Sequence, residues 1–216
     1  MADHPDASAD GRYPGLLSVV VPCHNEQTCL DELHRRVSAV CEASCERYEL
    51  VLVDDGSTDA TWPRMLALHA TDPHVVCVRL SRNYGHQLAL TAGLDVCGGD
   101  CAFILDADLQ DPPELLPEML ARLRDGADVV YGRRRHRAGE KPFKLLTASL
   151  FYRFINRLSD VEIPRDTGDF RLVTRRVVDI LQAMPEKHRF IRGMVSWVGF
   201  RQEPLEYDRA ARFAGS

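Results

Sequence analysis

Phe103-Ile104-Leu105-Asp106-Ala107-Asp108-Leu109-Gln110-Asp111-Pro112-Pro113-Glu114 decides how the rest of the chain is read. Cys101 to Leu105 is an apolar run, the pattern of a strand buried on both faces. It halts at two carboxylates one residue apart, and the Pro-Pro step then turns the chain. In an open α/β sheet ligands sit beyond the carboxyl ends of the strands, so this tip is where chemistry is expected. Asp106 and Asp108 fall on one side of an extended chain, and their hard oxygens suit Mg²⁺ or Mn²⁺ bridging to phosphates. The competing reading is a loop acid pair that caps the helix starting near Pro113.

Upstream, strands and helices alternate. Leu17–Val21 reads as a strand with Pro22-Cys23-His24-Asn25-Glu26 as its exit loop, and Glu26–Ser44 has helical spacing through Leu30, Leu33, Val37 and Val40/Cys41. Tyr48–Val53 is a second strand that ends in Asp54-Asp55-Gly56-Ser57-Thr58-Asp59. Gly56 permits a tight turn there, and Ser57 or Thr58 can cap a helix reaching about Ala70. Val75–Leu80 and Ala127–Tyr131 read as strands, Tyr84–Val96 and Pro113–Arg124 as helices. Such alternation with short connections predicts a parallel, doubly wound sheet.

After Tyr131 the pattern breaks. Gly132-Arg133-Arg134-Arg135-His136-Arg137 reads as a basic loop. Lys141–Ser159 carries Phe143, Leu146, Leu150, Phe154 and Leu158 on one stripe, with Phe151 and Ile155 beside it. That is either a core-facing helix or one lying on a membrane surface, the latter favoured by its aromatics and by Lys141, Lys144, Arg153 and Arg157. Gly168–Leu172 reads as a short extended piece and Arg175–Ala183 as a helix. His188–Gly199 is helical or mixed, and Arg201–Tyr207 an edge strand.

The 216 residues, 45% hydrophobic and 27% charged, fit one globular domain with a sizeable core. The net charge of −5 hides an asymmetry: residues 1–132 hold 9 basic and 22 acidic side chains, residues 133–216 hold 18 and 10. An acidic half and an Arg-rich half suggest two different ligands, although solvated helix faces account for part of the charge. Nucleic acid is a poor fit, because the overall charge is negative and the basic patch is local. Seven scattered cysteines match neither a zinc spacing nor a secreted disulfide frame, so a reduced, cytosolic setting is the default. Residues 1–15 are polar and read as a disordered tail without a signal peptide; no apolar run reaches the length of a membrane span. The span 209–216 reads as the start of a C-terminal segment cut short.

Acids therefore stand at three strand ends: Glu26, Asp54/Asp55 and Asp106/Asp108. Together they suggest a pocket in which carboxylates bind a base and ribose and a metal neutralises a diphosphate. No G-x-G-x-x-G follows the first strand and no G-x-x-x-x-G-K-[ST] occurs, so dehydrogenase and P-loop readings lack their defining feature. The ordered set VVVPCHNE (19–26), LVDDGSTD (52–59), LSRNYGHQLALTAGLD (80–95) and DADLQDPPE (106–114) resembles the inverting family 2 glycosyltransferases of GT-A fold. TGDFRL (167–172), HRFIRGMVSWVGF (188–200) and YDRAARFAGS (207–216) look like the polyprenyl-phosphate branch, which includes bactoprenol glucosyltransferases and dolichyl-phosphate mannose synthases. SRNYGHQ and WVGFRQ look most like the bactoprenol type. Those enzymes continue into two C-terminal membrane helices that this chain lacks, and through which members of the branch assemble into oligomers.

The resemblance implies a GT-A catalytic domain over residues 16–208: a Rossmann-like, mostly parallel sheet flanked by helices, with an amphipathic membrane-proximal region. Pro22, Glu26, Asp54 and Asp55 would line the base and ribose pocket, and Asp106 the ribose and diphosphate side. Asp108 with Gln110 would hold Mg²⁺ or Mn²⁺. Arg134 and Arg171 are candidates for the acceptor phosphate, since guanidinium forks match phosphate oxygens. Asp169 takes the place of the candidate catalytic carboxylate, and Arg209 and Arg212 match a basic tail that closes over the donor diphosphate. Plainer readings stand beside these. Asp54 could be a turn former, Arg133–Arg137 a solvated loop, and Arg171 a structural partner of Asp169. His24, His86 and His188 share no metal spacing and read as structural, and Trp197 reads as core, with a sugar-stacking platform as the alternative.

The implied reaction moves a sugar, glucose favoured, from a nucleoside diphosphate sugar such as UDP-glucose to a polyprenyl phosphate at the cytoplasmic face of an anionic membrane. Transfer to a soluble saccharide or protein acceptor is the competing enzyme reading; the Arg-rich half and the Lys141–Ser159 stripe argue against it. An idle scaffold of the same fold is disfavoured by the presence of Asp106, Asp108, Gln110 and Asp169 together.

Overall fold

The computed structural model describes residues 15–135, 167–187, 189–210 and Phe213. The stripe Lys141–Ser159, His136, Arg137, His188, Arg212 and the tail before Gly15 lie outside the described residues.

Seven strands form one sheet: β1 (Leu17–Cys23), β2 (Tyr48–Asp54), β3 (Val75–Arg79), β4 (Cys101–Ile104), β5 (Val129–Arg134), β6 (Thr167–Thr174) and β7 (Gln202–Tyr207). Their spatial order is β3-β2-β1-β4-β6-β5-β7. The pairs β1–β2, β1–β4, β2–β3 and β5–β7 are parallel. The sheet is mostly parallel, as expected; the exception is β6, which runs antiparallel to both β4 and β5. Thr167 to Thr174 returns down the sheet between two strands pointing up, so its N-terminal end, with Asp169, lies at the same edge as the carboxyl end of β4. A late-sequence residue is thereby carried to the strand-end acids.

Helices cover both faces: α1 (Leu30–Ser44), α2 (Thr61–Thr71), α3 (His86–Val96), α4 (Leu116–Arg124), α5 (Arg175–Ala183) and α6 (Ile191–Trp197), with a 3-10 turn at Pro113–Leu115. The alternation of strand side chains divides the core in two. Leu17, Val19, Val21, Leu50, Leu52, Phe103 and Leu172 point toward α1, α2 and α4, meeting Leu33, Val37, Met65, Met119 and Leu120. Val20, Val51, Val53, Ile104 and Val173 point the other way, meeting Leu90, Leu94, Val177, Leu181, Ile191 and Val195. Each such Leu, Ile or Val contributes about 1.5–3 kcal/mol when fully buried.

Three boundaries differ from the sequence reading for local reasons. α1 begins at Leu30 rather than Glu26, because Asn25 is left-handed (φ 56°) and Glu26 opens a turn closed by the Cys29 N–H. α2 begins at Thr61: neither Ser57 nor Thr58 caps it, and the Thr61 N–H is taken by Asp59 Oδ1 at 2.9 Å. α3 begins at His86, since Gly85 has φ +94°. The expected basic loop is partly strand, with Arg133 and Arg134 in β5 and Arg133 paired with Glu206 on β7.

Candidate active site

Two turns at the sheet edge are held in left-handed backbone, at Asn25 and at Leu109 (φ 58°), the non-glycine residues with positive φ among those described. Such conformations cost about 1–3 kcal/mol and persist where the surroundings over-determine them. Leu109 is 1% exposed, so its side chain is anchored in the core, while Asp108 and Gln110 on either side are half-buried. The strain thus buys the presentation of the two candidate metal ligands.

Beyond β1 and β2 lies a cleft of about 250 Å³ lined by Pro22, Cys23, His24, Asp55, Asn83, Gly85, His86 and Ala89. Asp55 accepts the N–H groups of Tyr84 (2.7 Å) and Gly85 (2.9 Å), so its carboxylate fixes the start of α3 as well as the cleft wall. Glu26 and Asp54 stand outside this lining. Asp54 is fully buried; its Oδ1 takes the Ser57 N–H at 3.0 Å and its Oδ2 is 3.4 Å from Arg79 Nε, which suits a turn former.

Asp169 is a hub. Its Oδ2 accepts from Gln87 Nε2 (2.8 Å) and lies 3.1 Å from His86 Nε2. Its Oδ1 faces Arg192 Nε at 3.6 Å and Arg171 Nη2 at 3.8 Å. Burial alone would raise this carboxyl, but the His86 hydrogen bond and the two guanidiniums hold it down at about 2. His86 also lies 3.6 Å from Asp106 Oδ1, and its bond to Asp169 pushes its own pKa up. Unlike Asp169, Asp106 is pushed up, to about 6, by burial and by the charges of Asp111, Asp108 and Asp169, with His86 opposing.

Arg171 fits the plainer of its two readings, a structural partner of Asp169. Its guanidinium is 3% exposed and donates to Gly168 O at 3.1 Å, with Nε 3.4 Å from Asp169 O, which leaves it no open face toward an incoming phosphate. Burial lowers its pKa to about 10. Arg192, at the start of α6 and 27% exposed, holds the more open position on the same carboxylate.

A second cluster gathers on Asp111, which is fully buried. It accepts the Tyr207 hydroxyl and lies near Arg209 Nε (3.4 Å) and Arg134 Nη2 (3.9 Å). Tyr207 is aimed there by a row of tilted rings, Phe103–Phe170–Tyr207, each 5.4 Å from the next. The tail then runs along the Asp108–Asp111 loop, with Ala210 N donating to Gln110 O at 3.0 Å and Arg209 Nη2 3.8 Å from Asp108 Oδ2. The sequence reading took His86 as structural and gave no role to Gln87, Asp111 or Arg192. The signal available was their place inside GHQ, DADLQDPPE and HRFIRG, which fixes position but not contacts.

Among the described residues no three His, Cys, Asp or Glu side chains converge as a complete metal cage. The chemistry of the loop nonetheless fits Mg²⁺ or Mn²⁺. Asp108 Oδ1 is bonded to the Gln110 N–H at 3.1 Å while Oδ2 has only a distant cation opposite it. One carboxylate and an amide suffice for an ion whose other positions are filled by phosphate and water.

The family model for glycosyl transferase family 2 matches residues 18–181. An uncharacterized glycosyltransferase of Bacillus subtilis, YkcC, is 46% identical over 92% of this chain and 61% of its own length. The prophage bactoprenol glucosyl transferase homolog of Escherichia coli is 40% identical over 92% of this chain and 65% of its own. The chain therefore spans less than two thirds of these relatives. Among solved structures, the mannosyltransferase PcManGT of Pyrobaculum calidifontis, in complex with GDP-Man and Mn²⁺, superposes with a TM-score of 0.65. It is 21% identical and covers 94% of this chain and 57% of that one. S. aureus TarS 1-349 in complex with UDP-GlcNAc gives a TM-score of 0.61 at 18% identity, covering 90% and 59%. At those identities the likeness is one of fold, and the fold is GT-A. With a family match running from β1 into α5 and relatives at 40% and 46% identity over nine tenths of its length, this chain belongs to glycosyl transferase family 2.

Proposed function

We propose that residues 16–208 are the catalytic domain of an inverting glycosyltransferase that moves a sugar, glucose favoured, from a nucleoside diphosphate sugar to a polyprenyl phosphate. The acceptor would be met at the cytoplasmic face of a cell membrane. The observation that carries this reading is the meeting, at one sheet edge, of a carboxylate-walled cleft with two arginine clusters on Asp169 and Asp111. The relatives named bactoprenol glucosyl transferases supply the acceptor class. Among the described residues no helix is long and apolar enough to cross a membrane.

In this reading Pro22 and Asp55 wall the nucleoside, with Glu26 and Asp54 shaping the loops behind them. Asp106 faces the ribose and diphosphate. A divalent ion on Asp108 and Gln110 would supply Lewis-acid charge for the leaving diphosphate. An acceptor phosphate oxygen attacks the anomeric carbon while the bond from that carbon to the diphosphate oxygen breaks, its electron pair leaving with the nucleoside diphosphate. Attack from the face opposite the leaving group inverts the centre. The nucleophile is already an anion, so no proton has to be removed. Asp169 suits this: a carboxylate held at about 2 is a weak base near neutrality but a steady anchor for arginine. Arg134 and Arg209, joined by Arg212, bind phosphate, while Arg171 acts through Asp169.

The test is transfer from UDP-glucose, and from other UDP- and GDP-sugars, to a short polyprenyl phosphate with Mg²⁺ or Mn²⁺. Asp108→Ala should abolish transfer with the melting temperature nearly kept. Near-normal transfer by that variant, or transfer only to soluble saccharides, would overturn the proposal.

A further inference from the structure

The two oxygens of Asp169 are held unequally. Oδ2 takes the Gln87 amide at 2.8 Å and the His86 ring at 3.1 Å. Oδ1 is buried yet has no hydrogen-bond partner, and Arg192 Nε opposite it, 3.6 Å away, has none either. Both are groups held just short of a full bond. Gln87 is itself tied down, since its Oε1 accepts the Ile191 N–H at 2.9 Å and joins α3 to α6.

What His86 adds is a second grip and a positive neighbour. A carboxylate held by one bond can turn about it; one held by two is fixed in plane. The ring reaches Asp169 because Asp55 pins Tyr84 and Gly85, and so fixes where α3 starts. Its side chain remains 40% exposed on the cleft wall and lies 3.6 Å from Asp106, so it touches the donor-side carboxylate as well. A histidine kept only for packing would not be placed so. Removing it would free the Asp169 plane and take away a competing cation, and Arg192 would then close onto Oδ1 as a full ion pair. A guanidinium so engaged is less available to an incoming phosphate.

We propose that His86 is a positioning residue: by gripping Asp169 from the cleft side it holds Arg192 off a closed ion pair, so that the Arg192 guanidinium receives the acceptor's phosphate monoester. This rests on the glycosyltransferase reading above and adds two residues, His86 and Arg192, to the acceptor side of the site.

The experiment measures two affinities by calorimetry on the whole chain: UDP or GDP with Mg²⁺, and farnesyl phosphate. His86→Ala also removes a side chain from the cleft wall, so nucleotide affinity should fall somewhat, but farnesyl phosphate should weaken about tenfold or more and by a clearly larger factor, with the acceptor KM rising more than kcat falls. His86→Gln, which restores an N–H, should recover most of the loss. Arg192→Ala should show the same loss, and the double variant little more, because both act on one contact. If His86→Ala melts early, His86→Leu, which keeps bulk and removes both ring nitrogens, replaces it. Two variants that fail to fold would mark His86 as structural and end the proposal. Unchanged farnesyl phosphate affinity, an equal loss of nucleotide affinity, His86→Gln no better than His86→Ala, or losses that multiply in the double variant would each overturn it. A wild-type chain that binds neither UDP nor GDP would instead sink the proposed function, which keeps the two failures apart.

Discussion

Arg209 Nη2 stands 3.8 Å from Asp108 Oδ2, a cation held opposite the carboxylate assigned to the metal. The pair is too long for a hydrogen bond, and Arg209 is shared with Asp111. A divalent ion arriving at Asp108 meets this guanidinium as a like charge. Arg209→Gln should therefore tighten Mn²⁺ binding a few-fold, since a partly exposed pair at this distance is worth about 1 kcal/mol at most. Electron paramagnetic resonance titration of free Mn²⁺ reads it without any turnover. Weaker Mn²⁺ binding in the variant would mean that Arg209 organises the loop instead of competing at it.

Asp169→Asn separates an anchor from a base. The neutral amide leaves Arg171, 3% exposed, without a full counter-charge, which costs about 3 kcal/mol. If Asp169 works by orienting arginine, transfer should fall partially and mostly through acceptor affinity. A collapse of turnover at unchanged acceptor affinity would favour a base. The acid limb gives a second reading. A carboxyl lowered from 3.8 to about 2 stabilises the fold fully above about pH 4, and that contribution is lost as pH falls toward 2. Urea melts of wild type should lose stability across that window, and those of Asp169→Asn should lose less.

Asp106 has the opposite sign. Burial foremost, and the neighbouring Asp111, Asp108 and Asp169, raise it to about 6, so the folded state resists its ionisation and stability is lost as pH rises from about 4 through 6. Asp106→Asn removes that penalty. In EDTA the variant should be more stable than wild type at pH 7.5 by about 1 kcal/mol, a discounted figure because the carboxyl is 31% exposed. The gain should vanish at pH 4, while UDP binding weakens. A difference that is the same at both pH values would refute the assignment.

Strands were legible where burial on two faces leaves continuous apolar runs, as in Leu17–Val21 and Cys101–Leu105. The direction of β6 was not. Parallel and antiparallel neighbours can share one apolar pattern, and Leu172 pairs with both Phe103 and Val130 through contacts distant in sequence. The acids were legible because their chemistry is local to each strand end. Asp111 was not, since its role depends on Tyr207 and Arg209 arriving from the far end of the chain. His86 was hidden for the same reason: its partners, Asp106 and Asp169, come from β4's exit loop and from β6.

The cleft wall depends on one glycine. Gly56 has φ +64°, and a Cβ placed on it would fall 2.3 Å from the carbonyl carbon of Arg82 and 2.4 Å from the nitrogen of Asn83. Both atoms are backbone, so the clash cannot be relieved by a rotamer change. The segment that would have to move carries the Tyr84 and Gly85 N–H groups bonded to Asp55 and leads directly into His86. Gly199 provides the comparison: it too has positive φ, +74°, but a Cβ there meets nothing within 4 Å. Gly199→Ala should cost only the left-handed backbone term, about 1 kcal/mol, and leave UDP affinity unchanged. Gly56→Ala carries that same term and the displacement of Arg82–Gly85 as well, for a total of about 2–4 kcal/mol. Its UDP affinity should fall along with its melting temperature, because the displaced loop forms the wall of the cleft. Chemical denaturation and calorimetric UDP titration of the two variants decide the matter. Equal losses of stability, or a Gly56→Ala chain that binds UDP as wild type does, would show that the 82–85 segment yields freely and that Asp55 does not depend on it.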